Sequence, residues 1–114
     1  MLYIKMTKVF KVTKEQYYKQ ALSLINCFLG LTDYELSIII TMLTYNVKHL
    51  TKDGRLIVRE KLGSNVATFN NYIKRLKDKK ALVESQEGLE VSHNIINALS
   101  DNQVNIKFNV YENS

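Results

Sequence analysis

The sequence predicts an α+β fold that is mainly helical. Two capping boxes of the form Thr-x-x-Gln or Thr-x-x-Glu begin apolar stretches, and apolar residues recur every three or four positions up to about residue 80. Short runs rich in branched side chains follow, and a segment near each terminus alternates between apolar and polar residues. We expect a single domain over residues 1–114, since a chain of this length that is 46% hydrophobic can form one core.

Composition excludes several classes of protein. Seven Tyr and four Phe supply enough large apolar side chains to argue against intrinsic disorder. The longest uncharged stretches, residues 20–32 and 36–47, are shorter than the roughly 20 apolar residues of a membrane-spanning helix, and the N-terminus lacks the apolar centre of a signal peptide. A single cysteine excludes an intramolecular disulfide and a cysteine-based zinc cluster. We expect a cytoplasmic protein, because a small chain without disulfides suits a reducing compartment.

Residues 13–31 are predicted to contain the first helix. Thr13 and Gln16 form its capping box, and Gly30 ends it. Cys27 is interpreted as a small buried hydrophobic residue, because burial is the usual position of a free cysteine. The predicted apolar face of this helix comprises Tyr17, Ala21, Leu24, Ile25 and Phe28.

The next helix is predicted to form the centre of the core. Thr32 and Glu35 make the second capping box, and the helix runs to about Lys48. Its apolar residues cover so much of the circumference that other elements must surround it. These residues are Leu36, Ile38, Ile39, Ile40, Met42, Leu43, Tyr45 and Val47.

Two shorter helices separated by a glycine come next. The first is predicted from about Arg55 to Leu62, after a turn or helix start at residues 51–54. Its first four residues could instead be a short strand, because two of them are β-branched. Gly63 breaks the pattern, and Ser64 is the predicted N-cap of a helix over residues 65–80.

Strands are predicted at both termini. Residues 1–12 form a strand arm. Residues 94–114 form a C-terminal tail, with one helical turn at 94–99 and, at 104–111, a strand that has one apolar face. We expect the two terminal strands to pair with each other or with a second copy of the chain.

Positive charge is concentrated in the middle third of the chain. Residues 51–80 carry nine basic and three acidic side chains, whereas residues 1–50 carry six and three, and residues 81–114 carry one and five. A basic segment of this kind is typical of a surface that binds a polyanion, although a solvated helix face gives the same pattern.

The order of elements in the basic segment resembles a winged helix-turn-helix. A helix, a tight turn, a second helix and a basic run are followed by two β-like runs, residues 82–85 and 89–92, that form a hairpin. The resemblance covers residues 32–93 and is to small regulators and replication-associated proteins of phages and plasmids. It is carried by Leu62 and Gly63, Ser64 and Asn65, Phe69, Ile73 and Leu76, and the closing run KRLKDKKALV. It implies a protein that binds duplex DNA.

The second helix of this motif has one apolar side and one polar side. At about 100° per residue, its buried stripe is Val66, Phe69, Ile73 and Leu76. The opposite side is small and polar at its start and basic further along, which suits a major groove. The candidate base-reading residues are Thr68, Asn71, Lys74 and Arg75. The candidate phosphate contacts are Lys52, Arg55, Arg59, Lys61, Ser64, Asn65, Lys77, Lys79 and Lys80.

Two features argue against DNA contact: Asp78 lies on the outer side of the second helix, and the hairpin is acidic. Glu84, Glu87 and Glu90 make the hairpin acidic, so phosphates should repel it. Because winged folds also serve as protein-docking modules, the alternative function is an adaptor that binds a polymerase or a host factor without touching DNA.

No catalytic, metal or cofactor site is predicted. His49 and His93 are isolated in the sequence; we interpret the first as a helix-end residue that interacts with the helix dipole and the second as a surface residue. No phosphate-binding loop is present. We therefore expect a protein that is not an enzyme and that acts as a regulator or replication accessory factor of a phage or mobile element. If it is viral, we expect it in the host cytoplasm. Because one small helix reads few base pairs, we expect a homodimer.

Overall fold

The computed structural model describes residues 13–99, and these residues form the mainly helical α+β fold that the sequence predicts. The predicted strands at residues 1–12 and 104–111 lie outside them. The elements follow the order α1–α2–α3–α4–β1–β2–α5. The helices are α1 (Lys14–Leu29), α2 (Asp33–Thr44), α3 (Lys52–Leu62), α4 (Val66–Asp78) and α5 (His93–Ala98), and the antiparallel strands are β1 (Leu82–Ser85) and β2 (Gly88–Val91).

Both predicted capping boxes are present. The Thr13 hydroxyl accepts from the Gln16 amide at 3.2 Å, and the Gln16 side chain accepts from the Thr13 amide. Thr32 and Glu35 exchange the same two bonds at the start of α2. The N-terminal amides of both helices thus gain acceptors that the helices themselves do not supply. Gly30 ends α1 with a left-handed φ of 67°, as predicted.

The end of α2 differs from the prediction. The helix ends at Thr44 rather than near Lys48, because Asn46 adopts a left-handed φ of 55° and turns the chain. Asparagine tolerates this conformation better than most residues with a side chain. Residues 45–51 therefore form a loop between α2 and α3.

The third helix is longer than predicted and the fourth begins later. Thr51 caps α3, so the alternative of a strand over its first residues is wrong. Gly54 lies inside α3, although glycine weakens a helix. A Cβ atom at this position would collide with the carbonyl oxygen of His49, because the α2–α3 loop packs closely against the helix there. The N-cap of α4 is Asn65 rather than Ser64, because the Ser64 amide still donates to the α3 carbonyl of Arg59 at 3.1 Å.

The core is centred on α2, as predicted. This helix packs against α1, α3 and α4, and Ile38 and Ile39 are completely buried. From α4, Phe69, Ile73 and Leu76 are buried, which confirms three residues of the predicted stripe. Val66, predicted for the same stripe, is 53% exposed because α4 begins there and burial starts one turn later. Tyr45, also predicted for the core, is exposed just beyond the end of α2.

The first helix is less buried than predicted. Leu24 and Phe28 are 53% and 75% exposed, and Cys27 is exposed too, so the predictions of burial for these three residues are wrong. Leu22 of the same helix is fully buried, and it lies about 160° around the helix from Leu24. The uncharged stretch of α1 therefore has an apolar surface outside the core.

The predicted hairpin is confirmed. Leu82 pairs with Val91 and Ser85 with Gly88, so two residues form the connecting turn. The Leu50 amide donates to the Leu89 carbonyl at 2.8 Å, and this bond joins the α2–α3 loop to β2. Within residues 13–99, none of the helices has the length and apolar character needed to cross a bilayer.

Candidate nucleic-acid interface

A three-residue turn fixes α4 relative to α3. Gly63 adopts a left-handed φ of 65° and its amide donates to the carbonyls of Arg59 and Glu60. The Asn65 side chain accepts from the Thr68 amide at 2.8 Å and caps α4. Because both helix ends and the turn are hydrogen-bonded, the N-terminus of α4 has a defined position.

The four predicted base-reading residues all lie exposed on α4. Phe69, Ile73 and Leu76 face the core, so the opposite side of the helix carries Asn71 and Lys74, with Thr68 and Arg75 beside them. This arrangement presents amide, hydroxyl, ammonium and guanidinium donors on one surface.

An aromatic stack supports Arg75. Its guanidinium lies 5.1 Å from the centre of the Tyr72 ring, and the Tyr72 ring lies 4.3 Å from that of Tyr34 on α2. A cation held over a ring face loses less conformational freedom when it binds a ligand than a freely rotating one. The stack therefore orients Arg75 along the surface of α4. Burial raises the pKa of the Tyr34 hydroxyl, and the neighbouring Tyr72 raises it further.

A groove of about 400 Å³ lies beside α4. Three basic side chains line it, together with two polar residues and one acidic residue; these are Arg55, Lys74, Lys77, Asn70, Ser85 and Glu84. The structure thus brings together side chains from α3, α4 and β1, which lie far apart in the sequence.

Arg55 is already engaged within the fold. Its Nε donates to the Leu50 carbonyl at 3.3 Å, and one terminal nitrogen donates to Asn70 Oδ1 at 3.4 Å. Sequence reasoning missed Asn70, because its role depends on a contact between α3 and α4 that the sequence pattern does not show. Arg55 is also half-buried. Because two of its nitrogens already donate within the fold, it has fewer free donors for a phosphate than we expected.

Three of the predicted phosphate-binding lysines also contact protein groups. Lys77 Nζ lies 2.9 Å from Glu84 Oε1, Lys79 Nζ lies 2.7 Å from Glu35 Oε1, and Lys61 Nζ lies 4.7 Å from the Tyr45 ring centre. The hydrogen bond from Lys77, together with its charge, holds the pKa of Glu84 below its ordinary value. Lys79 is the least available of the three for a phosphate contact, because its carboxylate partner is completely buried.

The other predicted phosphate contacts differ in exposure. Lys52 at the start of α3, Asn65 at the cap of α4 and Lys80 just after α4 are exposed. Arg59 and Ser64 are half-buried. Lys52 and Lys80 are thus exposed cations at the start of α3 and just after α4, and Lys74 is exposed on α4 itself.

The hairpin carboxylates are paired with basic groups. Glu84 contacts Lys77, and the His49 ring contacts both Glu87 and Glu90. The interpretation of His49 as a helix-end residue is wrong, because α2 ends five residues before it and the loop turns its ring toward the hairpin. His93 is exposed, as predicted, and lies 3.5 Å from Glu90.

A second cavity, of about 370 Å³, lies between α1, the α2–α3 loop, β2 and α5. Its lining is mainly apolar, with His49 and Glu90 among the polar residues. Among the described residues, no group of three or more His, Cys, Asp or Glu side chains is placed to hold a metal ion.

No protein-family model matches this chain, and neither a curated protein nor a solved structure matches it.

Proposed function

We propose that this chain is a winged helix-turn-helix protein that binds duplex DNA through α4. The observation that carries the proposal is the exposed side of α4, where Asn71, Lys74 and Arg75 project from the segment with nine basic and three acidic residues. Positive charge with hydrogen-bonding side chains on one helix face suits both phosphates and base edges. The proposed role is a transcriptional regulator or replication accessory factor of a phage or mobile element.

The order and joining of the elements support the proposal. A central helix, a short paired segment, a second helix, a tight turn, a third helix and a hairpin follow one another. The paired segment is the α2–α3 loop, whose Leu50 amide bonds to β2. In this interpretation α4 is the recognition helix and the β1–β2 hairpin is the wing.

Base and phosphate contacts are divided between different residues. An α-helix fits the major groove, where Asn71 would bond adenine, Arg75 would bond guanine, and Thr68 would reach a base edge or a thymine methyl. Lys52 and Lys80 would contact phosphates on either side. Lys77 and Lys79 contribute less, because each already has a carboxylate partner.

The test is a binding selection from random duplex DNA followed by a salt series. We expect enrichment of a defined sequence and an affinity that falls steeply with salt, because bound cations displace counterions from phosphates. Failure to retain any duplex at low salt would exclude this function.

Asn71→Ala and Lys80→Ala should separate the two kinds of contact. Loss of the amide should weaken binding to the selected sequence by about 1–3 kcal/mol and leave random DNA almost unchanged, since only a base contact is lost. Loss of the lysine should weaken both equally and reduce the salt slope by about one unit. Fluorescence anisotropy on both duplexes measures this. If both variants bind like the wild type, α4 does not contact DNA.

We also propose that the protein acts as a homodimer that uses the exposed side of α1. Leu24 and Phe28 are 53% and 75% exposed, in a stretch without charge from residue 20 to residue 32. An uncharged apolar face can pair with its own copy without like-charge repulsion, and a two-fold pair doubles the DNA site.

Cys27 provides a direct test of this dimer. It is exposed beside Phe28 and is the single cysteine of the chain, so a thiol crosslink can join only two copies. A short bismaleimide should yield a crosslinked dimer in the wild type and in Lys19→Glu, a control at an exposed position about 180° around α1 from Phe28. Phe28→Glu should abolish it. Light scattering that gives 13.2 kDa with and without DNA, and no crosslink, would contradict the dimer.

The alternative function is an adaptor that binds a polymerase or host protein. The same exposed Leu24 and Phe28 favour it, because exposed large apolar side chains are typical of protein contacts. This alternative predicts no salt-dependent retention on DNA and no effect of Asn71→Ala. The salt series therefore distinguishes the two functions.

A further inference from the structure

One histidine of the α2–α3 loop lies between two carboxylates of the hairpin. His49 Nδ1 is 3.3 Å from Glu87 Oε2, and His49 Nε2 is 3.2 Å from Glu90 Oε2. The His49 side chain is only 21% exposed. Both nitrogens of one ring thus face oxygen atoms of the same hairpin.

The contact of His49 Nε2 with Glu90 has hydrogen-bond geometry, whereas the contact of Nδ1 with Glu87 is an ion pair when the ring is charged. A neutral imidazole has one N–H donor and one acceptor nitrogen, whereas an ionised carboxylate only accepts. The imidazolium carries N–H groups on both nitrogens and a positive charge, so it donates to Glu90 and attracts the Glu87 carboxylate. We propose that His49 is a positioning residue whose protonated form clamps the β1–β2 hairpin to the α2–α3 loop. The clamp makes DNA binding depend on pH, a consequence that rests on the proposed function.

Other charged groups around the ring come from every neighbouring element. His93 at the start of α5 lies 3.5 Å from the other oxygen of Glu90, and the exposed Lys48 precedes His49 in the loop. α3 packs on the His49 carbonyl through Gly54, with the exposed Lys52 and Asp53 in the same turn. From α1, Lys14 Nζ donates to Asn46 Oδ1 of the loop at 2.7 Å, and Tyr18 lines the adjoining cavity. Deprotonation of His49 thus leaves Glu87 and Glu90 facing a neutral ring.

Loss of the ring proton has two expected effects on the hairpin. The neutral ring no longer forms an ion pair with Glu87, so the hairpin opens more often, including the neighbouring bond from the Leu50 amide to the Leu89 carbonyl. The hairpin also carries more uncompensated negative charge, which repels phosphates. Hairpin protection and DNA affinity should both fall as the pH rises through the range in which histidine titrates.

The first arm of the test measures hydrogen exchange without DNA. Protection factors of the Leu50 and β2 amides, corrected for intrinsic exchange, should fall about two- to fivefold from about pH 5 to about pH 8 in the wild type. His93→Gln is the matched control, because this histidine is 81% exposed and contacts only the far oxygen of Glu90, and it should retain the pH dependence. His49→Gln should abolish it. Constant protection in the wild type, or retained pH dependence in His49→Gln, would overturn the clamp.

Glu87→Gln keeps the proposal testable if His49→Gln does not fold. The Glu87 side chain is 75% exposed, so its replacement removes one arm of the clamp without disturbing the core. We expect the pH dependence of protection to decrease in this variant. A dependence equal to that of the wild type would count against the clamp.

The second arm measures binding of a random-sequence duplex at constant salt over the same pH range. Affinity should fall with pH in the wild type and in His93→Gln but not in His49→Gln. DNA binding together with protection that is independent of pH would refute the clamp alone. Protection that follows pH without DNA binding at any pH would instead refute the proposed function and leave the clamp standing.

Discussion

Replacing Phe69 with alanine is expected to lower the free energy of unfolding by about 3–5 kcal/mol. Phe69 is 1% exposed and is one of the largest side chains of the core, where α4 packs against α2. Truncation removes most of its buried apolar surface and leaves a cavity that the surrounding helices fill only in part. Urea denaturation followed by circular dichroism measures the change.

Val66→Ala is the matched control for this prediction. Helical periodicity assigns Val66 and Phe69 to the same stripe, but Val66 is 53% exposed. We expect its truncation to change stability by less than about 1 kcal/mol, as surface substitutions usually do. Equal losses for the two variants would show that the stripe is buried along its whole length, and no loss for Phe69→Ala would remove α4 from the core.

The helix positions were predictable because their signals are local. The capping boxes at Thr13 and Thr32 and the stop at Gly30 involve residues within a few positions of one another. Burial within a helix is less local, because it depends on which side another helix covers. Leu24 and Phe28 have the spacing of core residues, yet α2 packs on the side of α1 that carries Leu22.

The exposed face of α4 could be predicted for a similar reason. Once Phe69, Ile73 and Leu76 are assigned to the core, helix geometry places Asn71 and Lys74 on the opposite side. The electrostatic partners could not be predicted. His49 and Glu90 are 41 residues apart, and Glu35 and Lys79 are 44 apart, so their contacts depend on how whole elements pack.

The contact between Glu35 and Lys79 joins three parts of the fold. Glu35 Oε1 accepts from the Thr32 amide at 2.9 Å and from Lys79 Nζ at 2.7 Å, and Lys79 also donates to the Gly30 carbonyl at 3.0 Å. One ion pair therefore links the α1–α2 turn, the start of α2 and the end of α4. This structural role makes Lys79 a poor probe of phosphate contacts, because its replacement would disturb the position of α4.

Burial is the largest influence on the pKa of Glu35 and raises it. The hydrogen bonds from Lys79 and Thr32, together with the charge of Lys79, outweigh burial and hold this pKa below its ordinary value of 4.5. A carboxylate with a lowered pKa stabilises the fold at pH values above its unfolded-state pKa. That stabilisation is lost as the pH falls through the folded-state pKa.

Lys79→Ala is accordingly expected to lower the free energy of unfolding by about 3 kcal/mol at neutral pH. This value is at the low end of the range for a broken buried ion pair, because Lys79 itself is partly exposed. The buried Glu35 carboxylate would keep its bond to Thr32 but lose its countercharge.

Lys74→Ala, which removes an exposed lysine from α4, should have little effect. Urea titrations at several pH values should show the deficit of Lys79→Ala narrowing on acidification, because a protonated Glu35 no longer needs the ammonium group. A deficit that is the same at about pH 3 as at about pH 7 would show that Lys79 stabilises α4 by packing rather than by its charge.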